Sequence, residues 1–175
     1  FMLDTFRDLG MNCLGIEPSG GFESFLASKG HEVYKDLEAL KLRHPNRHFD
    51  LITHFFVLEH IRDTRGWLQQ QIDLLKDDGV IICEVPCIQD PLTSFYNIDA
   101  FERFYWSIAH HYYFSTKSIS MILDELDVDY EIAPEQRYDI SNHLVWLMNG
   151  KPGGQGRFND FFSEQTRNQY KKDLI

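Results

Sequence analysis

An α/β fold, with parallel strands joined by crossover helices, is what this sequence predicts. Three observations carry the prediction. Short apolar runs alternate with segments of helical periodicity along most of the chain. The run over residues 49–57 is apolar apart from Asp50, Thr53 and His54, as a strand buried on both faces should be. A second such run, residues 79–85, follows at the distance of one crossover helix.

The elements follow in order. Met2, Leu3, Phe6 and Leu9 stand at helical spacing and stop at Gly10, so the chain opens with a helix. Residues 13–16 form a short buried strand. Ser19 as cap, Phe22, Phe25 and Leu26 as apolar face and Gly30 as terminator define a helix over 20–29. Residues 31–34 are extended again, and the strand over 49–57 enters a helix near Leu58. Trp67, Leu68, Ile72 and Leu75 line one face of a crossover helix over 65–76, which ends in the turn Asp77-Asp78-Gly79. Pro86 closes the next strand because proline cannot donate to a ladder.

Residues 87–113 differ in character, with Phe95, Tyr96, Phe101, Phe104, Tyr105, Trp106, Tyr112 and Tyr113 crowded into one segment. Its place after a strand's carboxyl end suits a lid or substrate insertion, and its composition suits a second small core equally well. Ser115 or Thr116 caps a helix bearing Ile119, Ile122, Leu123 and Leu126. Residues 128–133 and 142–148 read as two closing strands, and the glycine-rich stretch after Lys151 separates a body over 1–150 from a helical tail over 151–175.

The chain's 175 residues, 43% of them hydrophobic, suffice for one sizeable core. Its net charge of -10, from 27 acidic against 17 basic side chains, repels polyanions, and the basic residues between Lys41 and His48 are too interrupted to form a phosphate-binding stripe. Nucleic acid is therefore not an expected partner. No apolar stretch nears the roughly 20 residues that span a bilayer, and Cys13, Cys83 and Cys87 form neither a CxxC pair nor a disulfide framework. A soluble cytoplasmic protein without a membrane partner is the expectation. The eight histidines show no HExxH and no paired Cys/His spacing, so the sequence gives no metal site.

Chemistry enters at Gly15-Ile16-Glu17-Pro18, where an apolar strand ends in a carboxylate and turns. A carboxylate there can accept from both hydroxyls of an adenosine ribose, although a strand-ending Glu is also an ordinary surface charge. Downstream, Phe49-Asp50-Leu51-Ile52 runs into Val57-Leu58-Glu59-His60, and Leu74-Leu75-Lys76-Asp77-Asp78-Gly79 leads into a strand ending in Val85-Pro86. In this order the chain, over residues 1 to about 150, resembles the class I S-adenosylmethionine-dependent methyltransferases, in particular the group related to ubiquinone-pathway and sugar-modifying enzymes.

That resemblance implies a Rossmann-like sheet of order 3-2-1-4-5-7-6 with an antiparallel last strand, and S-adenosylmethionine as cofactor. It implies that Glu17 holds the ribose hydroxyls, with Pro18 and Ser19 beside the adenosine. It further implies that Asp36 and Leu37 flank the adenine, and that His54, Phe55 and Val57 lie under the methionine part. The family's G-x-G-x-G loop and first strand have no counterpart in the sequence. A truncated domain is thus expected, with strands 2 and 4 facing an unfilled central position that a missing segment or a second copy of the chain completes.

Methyl transfer needs alignment more than acid-base chemistry, but a hydroxyl or carbon-acid acceptor benefits from a base. His110 and His111, at the end of the aromatic segment, are the candidates, with loop exposure and packing as their plain alternatives. His60 is expected to brace the loop, and Asn142 and His143 to orient a small polar acceptor, such as a sugar or glycan precursor, or simply to shape a strand entry. A nicotinamide-dependent oxidoreductase and a non-catalytic interaction module are the rival readings.

Overall fold

The computed structural model describes residues 2–175. The amino-terminal elements are α1 (Met2–Asp8), β1 (Leu14–Ile16), α2 (Glu23–Ser28), β2 (Glu32–Tyr34) and α3 (Leu37–Arg43). β3 (Phe49–Phe55) then leads through a 3-10 turn at Leu58–His60 into α4 (Thr64–Ile72) and β4 (Leu75–Glu84). The rest is helical: α5 (Pro91–Ser94), α6 (Asp99–Tyr105), α7 (Thr116–Glu125), α8 (Ile140–Asn149) and α9 (Glu164–Asp173).

The strands pair as two two-stranded sheets, β1 with β2 and β3 with β4. β1 and β2 are parallel, in register Leu14 to Glu32 and Ile16 to Tyr34. β3 and β4 also run the same way, since the amide of Phe49 donates to the Leu74 carbonyl at one end and that of Phe56 to the Glu84 carbonyl at the other, both at 2.9 Å. Among the described residues no ladder joins the two pairs.

The chain divides into two compact units. In the first, formed by residues up to 52 with Gln70–Ile81, Leu40 and Leu74 are the buried apolar side chains. Asp4 there accepts from Arg7 at 3.0 Å, Lys29 at 3.1 Å and His31 at 2.9 Å. The His31 bond first, and the Lys29 bond next, hold the Asp4 carboxyl down to about 2. The second unit, Thr53–Gln69 with Ile82–Ile175, carries two cores. Leu58, Leu68, Phe114 and Ile119 form one. Leu92, Phe101 and Trp146 form the other, ringed by Tyr96, Tyr105 and Tyr138. The aromatic segment therefore packs on α8, with Phe101 meeting the Trp146 ring edge-on at 5.0 Å.

Four expectations are corrected. Residues 142–148 are not an antiparallel strand but the body of α8: the Asp139 carboxylate accepts from the Asn142 amide at 2.8 Å, and Gly150 closes the helix in the left-handed region at φ 58°. These two caps fix a helix that buries Ser141, Asn142, His143, Val145 and Trp146. Residues 128–133 form no strand; Ile132 packs on the first core without a ladder partner. α2 begins at Glu23 because Ser19 is engaged elsewhere, in a turn with Glu17. Finally, the crossover helix stops at Ile72 rather than at residue 76, and Leu75 already opens β4; the Asp77-Asp78-Gly79 reversal is kept inside that span, since a Cβ on Gly79 would lie 3.0 Å from that of Leu75. The Phe49 amide bond to the Leu74 carbonyl and the Lys76–Asp50 ion pair at 2.7 Å draw this segment onto β3 and end the helix early.

The tail after Gly150 joins the second unit. Gly156 donates its amide to Asp139 at 2.8 Å, Phe158 donates to the Ser141 hydroxyl at 3.0 Å, and the Tyr170 hydroxyl meets His143 Nδ1 at 2.8 Å. A Cβ on Gly154 would lie 2.7 Å from the Ser141 carbonyl and 2.7 Å from Val145, so only glycine permits this approach to α8.

Candidate active site

In the first unit, Glu17 stands one residue past β1, and its amide extends the ladder by donating to the Tyr34 carbonyl at 2.8 Å. Its Oε1 accepts from the Ser19 amide at 2.9 Å and from the Ser19 hydroxyl. The half-buried carboxylate is thereby fixed through one oxygen, and Oε2 makes no hydrogen bond among the described residues. Pro18 and Ser19 are exposed beside it. Asp36 caps α3, accepting from the Ala39 amide at 2.7 Å through Oδ1, with Leu37 half-buried as the first helical residue.

In the second unit, His54 is buried, its ring edge-on to Trp67 at 4.8 Å, with neither ring nitrogen hydrogen-bonded. Burial pushes its pKa down to about 4, so the imidazole is neutral near pH 7. Phe55 and Val57 are half-buried. Between them Phe56 adopts φ +56°, a left-handed conformation that costs a bulky residue on the order of 1–3 kcal/mol. It is held there by its amide bond to Glu84 and by Arg137, whose guanidinium lies 5.0 Å from the ring centre while ion-pairing with Glu84. This reversal turns the chain out of β3 into the Leu58–His60 turn.

That turn and the end of the aromatic segment build a polar corner. Leu58 is fully buried in the first core and anchors the turn. Glu59, 1% exposed, gives its carbonyl to the amides of His111 at 2.7 Å and Tyr112 at 3.3 Å. His60 Nδ1 lies 2.9 Å from the Ala109 carbonyl, which can only accept, so Nδ1 carries the hydrogen and Nε2 is a bare acceptor. The His110 ring stands 4.7 Å from that of His60 and 5.0 Å from Tyr113. One ligand atom from each of Glu59, His60 and His110 lies within 4.8 Å of the other two. His111 is exposed, and its Nε2 accepts from Arg62 at 3.4 Å.

Of the sequence-derived site residues, the structure brings Glu17 together with Pro18 and Ser19, and His110 together with His60. Asn142 and His143 lie within α8, where His143 bonds Tyr170 and burial pushes its pKa down to about 4. Sequence reasoning missed Glu59 as a buried carboxylate. The signal was present in Leu58-Glu59-His60 next to an apolar strand, but its partner His110 lies fifty-one positions away, beyond any spacing rule.

Parallel strand pairs, joined by helices, define an α/β domain. A family model described as a methyltransferase domain matches residues 2–131. The chain belongs to that family and is a class I S-adenosylmethionine-dependent methyltransferase. No curated protein gives a match.

Proposed function

We propose that this chain transfers a methyl group from S-adenosylmethionine to a hydroxyl of a small polar acceptor, of the sugar or glycan-precursor class. The Glu17 carboxylate carries the reading. Fixed through Oε1 and open at Oε2, it fits a ribose diol, whose two donors call for an anionic acceptor that is already oriented. Pro18 and Ser19 line the nucleoside beside it, Asp36 and Leu37 meet the adenine, and His54, Phe55 and Val57 pack on the methionine part. The neutral His54 ring adds no charge there. When bound, the cofactor supplies an activated methyl on sulfur.

His110 takes the acceptor's proton. Its Nδ1 is buried without a hydrogen-bond partner, whereas the Nε2 of His111 is engaged by Arg62. The parallel pairs β1–β2 and β3–β4 support the neighbours 3-2 and 4-5 of the family's strand order as part of the same proposal.

Calorimetric titration with S-adenosylhomocysteine tests it. Glu17→Ala is expected to weaken binding by about 1.5–3 kcal/mol, the range for hydrogen bonds to a charged group. Equal affinity in the variant would remove the ribose assignment. His110→Ala, assayed with a panel of hydroxylated acceptors, should lower kcat by about 100-fold or more with cofactor binding retained.

A further inference from the structure

Of the corner formed by Glu59, His60 and His110, the methyl-transfer reading uses His110 alone. Glu59 is 1% exposed, and its Oε2 has no hydrogen-bond partner among the described residues. A buried carboxylate oxygen without a donor is costly, and a cation is the group that offsets that cost most completely. Oε1 of the same carboxylate lies 4.0 Å from His60 Nε2. That nitrogen is bare because Nδ1 donates to the Ala109 carbonyl at 2.9 Å, the arrangement that orients metal-bound imidazoles. His110 brings a second imidazole, 4.7 Å ring to ring from His60, whose buried Nδ1 is also without a partner.

We propose that Glu59, His60 and His110 bind one divalent transition-metal ion of the zinc class, leaving a fourth coordination position for water or an acceptor hydroxyl. Two imidazoles and one carboxylate match the borderline preference of zinc, whereas calcium and magnesium take oxygen-only sets. Three protein ligands with one open position is the pattern of a reactive site; structural zinc sites are closed by four. A tetrahedral ion at about 2.0–2.2 Å from each ligand sets the ligand atoms about 3.3–3.6 Å apart. Glu59 Oε1 and His60 Nε2 stand at 4.0 Å, so binding draws these two side chains slightly together. The widest separation in the triad is within 4.8 Å, which rotation of the His110 side chain on ion binding is expected to close.

With the ion in place His110 serves as a ligand, and the ion's charge takes over the task of acidifying a bound hydroxyl. The metal assignment stands on these three residues; only the hydroxyl in the open position rests on the methyl-transfer reading.

The test uses the full chain without an affinity tag, stripped with chelator and titrated with zinc by calorimetry, then with cobalt under visible and near-ultraviolet absorption. One equivalent is expected to bind, with ligand-field bands and no sulfur-to-metal charge transfer, which excludes Cys13, Cys83 and Cys87. Glu59→Gln and His110→Ala should each weaken zinc binding by about 100-fold or more. Zinc should raise the thermal midpoint of the unaltered chain and of neither variant. His110→Asn replaces His110→Ala if the latter lacks the native circular dichroism. Unchanged zinc affinity in both variants, or a thiolate charge-transfer band, overturns the site. S-adenosylhomocysteine binding without zinc binding overturns the site and leaves the methyl-transfer reading intact.

Discussion

The two units are held together by different means, and the contrast tells which functional groups are rigid. The first relies on a short parallel ladder and on charges near its surface, with Asp4 gathering Arg7, Lys29 and His31, and Glu32 gathering Tyr34, His44 and Arg47. The second buries aromatic and aliphatic side chains in two cores. Exposed ion pairs contribute little and are screened by salt, whereas a buried indole or phenyl removes a large apolar area from water. Glu17 thus sits on the softer unit and is stiffened locally by Ser19, while Glu59 and His60 are mounted on Leu58 in a packed core.

Trp146→Ala should break the contrast most severely. It removes the centre of the second core, against which Phe101 and Phe104 pack at 5.0 and 5.2 Å, and is expected to cost about 3–5 kcal/mol in urea unfolding. Acid should act next, and on the second unit. His54 and His143 have pKa values near 4, lowered chiefly by burial, so protons favour the unfolded chain, where imidazole titrates near 6.5. The stability these groups confer is complete above about pH 6.5 and is lost progressively as pH falls toward 4. His54→Phe should recover about 2–3 kcal/mol of that loss when unfolding at pH 7.5 and pH 4.5 is compared. The smallest effect is expected in the first unit, where Asp4→Asn should lower the thermal midpoint more at low ionic strength than in molar salt, the part that survives salt coming from the buried His31 bond. A salt-independent loss there would erase the distinction between the units.

Much of the sheet was legible because apolar runs of strand length have few other uses. The runs expected over 13–16, 31–34 and 49–57 contain the strands Leu14–Ile16, Glu32–Tyr34 and Phe49–Phe55, which pair in parallel, β1 with β2 and β3 with β4. α8 was misread because Val145 and Trp146 favour strands locally, while the features that decide its form are its ends, Asp139 with Asn142 and Gly150. The start of β4 was missed because Leu75 continues the apolar face of the helical pattern, whereas the neighbouring Leu74 already accepts from the Phe49 amide. At the site, Glu17 was visible as a strand-ending carboxylate. The corner was half visible: His110 was singled out for its segment, but its nearness to Glu59 arises from backbone bonds between Glu59 and residues 111–112 that no linear pattern encodes.

The close seat of Gly154 against α8 makes the last two dozen residues a wall of the second unit. A fluorophore attached after Ile175 would therefore sense the melting of the indole core in a single cooperative transition.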